Sequence, residues 1–220
     1  MGVAQDEDAR LALTRAAHVV AGAGLADAFG HVSIRSGDAL LITAPAPLGF
    51  QQPTDASLVS LGVDELPPGV PKEAWIHLAI ARSDPSAGAI CRAQPRAVAR
   101  AVAAGRDIRP LDGHGAMLGP LVPVYADSRL VRDLPSGDAV SAALGDAPAV
   151  ILRGNGAVTR GINLASAVAR MWLLERSAEL VLAAPADAQS LREDEQRWWR
   201  ERDVELLPRM YDFLVRTHGD

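Results

Sequence analysis

Between Leu11 and Ala184 the chain alternates stretches of helical spacing with short β-rich runs. That alternation leaves few architectures open, all of them a sheet whose apolar faces are covered by helices. Asp6 to Ala23 places Leu11, Leu13, Ala17, Val20 and Ala21 on an amphipathic first helix that stops at Gly22 and Gly24. Val32 to Arg35 and Ala39 to Thr43 flank Ser36-Gly37-Asp38 and predict a β-hairpin. Prolines and glycines from Ala44 to Pro71 predict mostly loop, with a short strand over Leu58 to Leu61. Glu73 to Ala81 reads as helix, Ala87 to Cys91 as buried strand and Arg96 to Ala104 as helix closed by Gly105.

Further along, Leu121 to Tyr125 predicts a strand, and Ser136 an N-cap for a helix to Leu144. Ala149 to Leu152 and Ala157 to Thr159 form a strand pair broken by Gly154-Asn155-Gly156, either a plain turn or a loop whose bare backbone approaches a ligand. Asn163 caps a long helix through Ala184, with Val168, Met171, Leu174, Ala178 and Val181 on one face. We therefore expect one domain over 1–184 and a charged, aromatic helical tail over 185–220 that rests on the domain or on a neighbouring subunit.

A net charge of −5 removes the electrostatic basis for tight binding to nucleic acid or anionic membrane, so a small molecule is the expected partner. Cys91 is the single cysteine, which excludes an intrachain disulfide and a cysteine-rich zinc site and favours a reducing compartment. Asp6, Glu7 and Asp8 stand where a signal peptide would be basic, and no segment stays apolar long enough to span a bilayer, so the expected location is the cytoplasm. The histidines at 18, 31, 77, 114 and 218 form no His-x-His or His-x3-His pair. His18 and His218 read as structural, while His31, His77 and His114 are open candidates. Lys72, the sole lysine, reads as exposed unless burial suits it to a Schiff base, and Cys91 reads as core.

Three ordered segments resemble the class II aldolase/adducin family. Gly30-His31-Val32-Ser33-Ile34-Arg35, followed by Leu40 to Thr43, is similar to its Gly-Asn/His-x-Ser-x-Arg hairpin. Pro71 to His77, Arg82-Ser83-Asp84-Pro85 and Ala89 to Pro95 resemble its acidic helix, Arg-x-Asp turn and His-x-His-Pro strand end. Ile151 to Gly161 resembles its Leu-Arg-x-His-Gly segment, with Leu173-Leu174-Glu175 in the helix beyond. The resemblance implies a three-layer α/β/α fold with a mixed, mostly antiparallel sheet, and a homo-oligomer, expected to be a homotetramer with sites between subunits.

It also implies a metal held by two histidines of His-x-His and one of the His-Gly segment, with a nearby glutamate as ligand or acid/base. Here those positions hold Arg92, Gln94, Asn155 and Glu73. A guanidinium and two amides are poor ligands for zinc or iron, so no metal or other cofactor is expected. Thr43-Ala44-Pro45-Ala46 and Pro71-Lys72 replace the hydroxyl-bearing segments that hold phosphate in sugar-phosphate members, which argues against a sugar phosphate, while His31 in the hairpin and the Arg-Gly-x-Gly pattern resemble the branch acting on aromatic or small hydroxy-carboxylic acids. The expected function is a metal-independent lyase acting on a small non-phosphorylated carbonyl or carboxylate compound by decarboxylation, aldol or retro-aldol cleavage, or dehydration. Glu73 would move protons and Arg92 would bind the anion, with His31, His77, Gln94, His114 and Asn155 lining the pocket. The alternative is a non-catalytic binding or scaffold protein on the same fold.

Overall fold

The computed structural model describes residues 3–219. In chain order its elements are α1 (Val3–Gly22), β1 (His31–Ser36), β2 (Ala39–Ile42), β3 (Ser57–Ser60), α2 (Ala74–Ser83), β4 (Ala89–Ala93), α3 (Arg96–Ala103), α4 (Gly113–Ala116), β5 (Val124–Tyr125), α5 (Leu134–Leu144), β6 (Ala149–Leu152), β7 (Ala157–Gly161), α6 (Leu164–Ala183), α7 (Glu193–Arg200) and α8 (Asp203–His218), with two 3₁₀ turns between β2 and β3. The seven strands form one sheet in the order β3-β2-β1-β4-β7-β6-β5. All pairs are antiparallel except β5 with β6.

Alternation along the strands divides the core into two layers. Val32, Leu41, Cys91, Ile151 and Ala157 join residues of α1, α3, α6 and α8 on one face. Leu40, Ile42, Ile90, Val150 and Val158 meet α2 and α5 on the other. The expected three-layer fold with a mostly antiparallel mixed sheet is therefore present, and no helix among the described residues is long and apolar enough to cross a membrane.

Local differences from the sequence reading have physical causes. The strand expected over Leu121 to Tyr125 is ordered as a ladder only at Val124–Tyr125, because Pro120 and Pro123 lack the N–H a ladder needs. The cap of α5 is Asp133, whose carboxylate accepts from the Ser136 amide while Ser136 reciprocates as the third helical residue. The β4 strand is displaced from Ala87 to Cys91 to Ala89–Ala93. That displacement brings Arg92 into the ladder. Asn163 caps α6 as expected.

The chain beyond Pro185 folds back onto the body: α7 lies on α4 and α8 on α1 and α6, with Leu207 and Leu214 buried in the same cluster as Leu13 and Val19.

Candidate active site

Strand alternation sends His31 and Ser33 to the α2 face of the sheet, while Val32 between them enters the opposite core. Arg92 is the cross-strand partner of His31 in the β1–β4 ladder, so it joins the same face. Glu73 is the residue before the first turn of α2 and His77 lies four residues on, on the same side of that helix. Asn155 arrives from the β6–β7 turn, where Gly154 and Gly156 adopt φ of +76° and +81°. A Cβ on Gly156 would lie 2.1 Å from the Ala93 carbonyl oxygen, so this glycine lets the turn press against β4 beside Arg92. The Gly-Asn-Gly segment is thus both the turn and a means of delivering a side chain to the site.

These side chains form one connected network. Arg92 Nη2 lies 3.1 Å from Glu73 Oε2, and it donates to Asn155 Oδ1 at 2.6 Å and to the Asn155 carbonyl at 3.2 Å. Asn155 Nδ2 donates to Glu73 Oε1 at 2.9 Å, and Gln94 Nε2 donates to Asn155 Oδ1 at 3.2 Å. His31 Nε2 stands 3.8 Å from Glu73 Oε2. Behind it His31 Nδ1 meets His77 Nε2 at 2.7 Å, and Ser33 Oγ meets His77 Nδ1 at 2.7 Å.

A cavity of about 320 Å³ opens onto this cluster, with His31, Glu73 and Arg92 on its floor, Phe29, Pro45 and Pro71 among its walls, and Lys72 and Arg132 beside it. Glu73 keeps 12% of its side chain exposed and His31 7%, but Arg92 only 1%. The guanidinium therefore reaches a ligand chiefly through the groups it holds. Its Nε and Nη1 have no hydrogen-bond partner. Lys72 and Arg132 are exposed and make no ion pair among the described residues.

Burial pushes the Glu73 carboxyl upward, but the neighbouring His31 ring, the Arg92 charge and the Asn155 amide outweigh it and hold the acid below its ordinary value. Burial lowers His31, helped by the Arg92 charge and opposed by Glu73, and lowers His77 well below the ordinary histidine range, with the neighbouring His31 and Arg92 charges adding to the effect. Near neutral pH the site is thus an ionised carboxylate, a buried guanidinium and two uncharged imidazoles.

Not every candidate lines this cavity. His77 is fully buried and stands behind His31. Gln94 and Asn155 instead face an adjoining groove of about 540 Å³ with Ile151, Leu152 and Gly154. His114 lies apart: it is half exposed on α4 near Asp112, with its ring 6.3 Å from that of Trp172, because α4 sits in the other helical layer. Lys72 is exposed rather than buried, which removes the Schiff-base reading. Cys91 is core, its thiol pushed up to about 12 by burial.

Ser33 and Arg132 are not among the site residues expected from the sequence. Ser33 is the serine of the family-like hairpin segment and lies two residues from His31, and nothing in the local pattern around Arg132 links it to the site.

Residues 12–182 match the family model described as Class II Aldolase and Adducin N-terminal domain. The chain belongs to the class II aldolase/adducin family. Among relatives of this family member, a 3,4-dihydroxyphthalate decarboxylase from Terrabacter sp. is 37% identical over 194 residues, covering 80% of this chain and 81% of the relative. One from Rhodococcus jostii is 29% identical over 213 residues, covering 89% and 88%. Of solved structures, L-fuculose-1-phosphate aldolase from Thermus thermophilus superposes with a TM-score of 0.73 at 29% identity, covering 80% of this chain and 94% of that one. L-fuculose 1-phosphate aldolase from Glaciozyma antarctica gives 0.80 at 18%, covering 98% and 92%. These relatives support a lyase-class enzyme.

The side chains at the family's metal-binding positions are a poor set of donors. Arg92 carries a permanent charge, Gln94 and Asn155 offer amides already bonded to one another, and Glu73 is bonded to Arg92 and Asn155. No group of three or more histidine, cysteine or acidic side chains among the described residues is arranged to hold a metal ion. The donor set does not fit a divalent cation.

Proposed function

We propose that the protein is a metal-independent decarboxylase of small hydroxylated aromatic carboxylates. The observation that carries this reading is the ionised Glu73, held by buried Arg92 at the floor of a cavity flanked by two unpaired cations. The relatives named for 3,4-dihydroxyphthalate act on a ring with two adjacent carboxylates and two adjacent hydroxyls. A dianion of that shape matches Lys72 and Arg132 in charge, with Phe29 and the prolines against the ring.

The chemistry available to these residues needs no Lewis acid. Glu73 takes the proton of the ring hydroxyl next to the departing carboxylate and returns it to the ring carbon that bears that carboxylate. The ring passes to a dienone, and the bond to the carboxylate breaks. Its electron pair restores the aromatic ring as a phenolate, CO2 leaves, and water supplies the final proton. The N–H of His31 stabilises the charge developing on the ring oxygen, and Arg92 keeps Glu73 ionised and in place. A homotetramer belongs to the same proposal, supported by the family and by Phe29 standing 68% exposed at the cavity wall.

The test is CO2 release from a hydroxylated phthalate by chelator-washed protein whose metal content has been measured. We expect turnover independent of bound metal, and a loss of about 100-fold or more in Glu73→Gln, the scale of general acid–base catalysis. Activity proportional to bound zinc, iron or manganese would overturn metal independence, and full activity in Glu73→Gln would remove the role given to that residue. Absence of both turnover and binding favours the scaffold reading.

A further inference from the structure

His31 is the one imidazole that reaches the cavity, and its usefulness there depends on which ring nitrogen carries the proton. Three contacts fix the answer. The 2.7 Å contact between His31 Nδ1 and His77 Nε2 holds one proton, since both rings are uncharged. The 2.7 Å contact between Ser33 Oγ and His77 Nδ1 also holds one. The far end of the chain, His31 Nε2, faces the Glu73 carboxylate at 3.8 Å.

Only two arrangements satisfy both short contacts. In one, His77 Nδ1–H donates to Ser33, His31 Nδ1–H donates to His77, and the bare lone pair of His31 Nε2 confronts a carboxylate. In the other, Ser33 O–H donates to His77 Nδ1, His77 Nε2–H donates to His31 Nδ1, and His31 Nε2–H points at Glu73. The first sets lone pair against negative charge where the two side chains are only 7% and 12% exposed, and the second sets a donor there.

We infer that Ser33 and His77 are positioning residues that lock His31 as an Nε2–H donor beside Glu73, so that the cavity offers a substrate hydroxyl one fixed donor and one fixed acceptor. Ser33 and His77 are both fully buried, so they act on a ligand only through His31. A gap of 3.8 Å is too wide for a direct hydrogen bond between His31 and Glu73, and a hydroxyl that gives its proton to the carboxylate can accept from the imidazole at the same time. The inference builds on the catalytic reading above, but its first measurement needs no turnover.

That measurement is nitrogen NMR of protein labelled with ¹⁵N-histidine, at neutral pH. Both His31 and His77 should show a protonated Nε2 and a bare Nδ1. An Nδ1–H tautomer, or averaging of the two, at His31 in the wild-type protein overturns the inference even if decarboxylation is demonstrated.

The second arm compares His77→Leu with His77→Gln. Leucine removes the donor to His31, so His31 should sample both tautomers and kcat should fall by roughly 10- to 100-fold, the scale seen when the partner orienting a metal-bound histidine is removed, with KM little changed. Glutamine presents an N–H near the lost Nε2 and should recover most of that loss. A leucine variant that keeps a single Nε2–H His31 and wild-type kcat overturns the claim. Should the leucine variant not fold, Ser33→Ala removes only the hydroxyl. His77 should then show tautomer averaging, and an unchanged His77 spectrum would refute the orientation assigned to the chain.

Discussion

At the scale of single residues, the site places charge where burial alone would forbid it. Arg92 is almost completely enclosed, and its charge persists because Glu73 and Asn155 accept from the same Nη2. His31 and His77 take the opposite course and stay uncharged. The sign of their effect on stability follows. With folded values below the ordinary histidine value of about 6.5, the two rings contribute stability that is fully present above that pH and is lost as pH falls toward their folded values. Glu73, also lowered, adds a loss that begins further down, as pH falls through the ordinary glutamate value, and continues below it. We expect the melting temperature to drop as pH is lowered from neutrality through 6 and 5, and His77→Gln to flatten the upper part of that fall. A melting temperature that rises on acidification from pH 7 to 5.5 would contradict the assignment of two neutral rings.

Among the elements, α3 shows how the fold fixes one side of the site from a distance. Its first turn has no side-chain cap of its own. Glu175, on α6, supplies one instead: its carboxylate accepts from the Ala97 amide at 2.8 and 2.9 Å and from the Val98 amide at 3.1 Å. A carboxylate there satisfies donors that the helix leaves open and opposes the positive end of the helix dipole. Pro95 and Gln94 lead directly into this turn, so the cap also steadies the amide that meets Asn155. Glu175→Ala should cost about 1 kcal/mol, in line with the loss of an N-terminal cap, measured as a shift in the urea midpoint. An unchanged midpoint would show that α3 is held by packing alone. Glu175 lies in a family-like segment of the sequence, but its targets 78 and 77 residues upstream are not legible in any local pattern.

For the whole molecule, the C-terminal helices complete a layer. Leu207 and Leu214 are 2% and 0% exposed and join the cluster built by α1, α3 and α6. Arg170 binds Asp203 at 2.7 Å across the same junction. The tail is therefore anchored by apolar burial at its far end and by an ion pair at the start of α8. Leu214→Ala should lower stability by about 2–5 kcal/mol, the range for truncating a buried leucine. Chemical denaturation would measure it, and a loss under about 0.5 kcal/mol, the scale of surface substitutions, would mean that α8 is not part of the cooperative core.

Taken alone, the sequence determined what depends on periodicity and on residue chemistry. The alternation of spacing gave a helix-covered sheet, Gly37 a hairpin and Asn163 a helix cap, because each is decided within a few neighbouring residues. It also marked Arg92, Gln94 and Asn155 as poor ligands for zinc or iron, since ligand chemistry belongs first to the side chain. Only the tertiary structure decided the company each residue keeps. Strand register put Arg92 opposite His31, the helix turn put His77 behind it, and the layer assignment sent His114 elsewhere. Those outcomes depend on contacts between segments tens of residues apart, where a one-residue slip in register would exchange the two faces of the sheet.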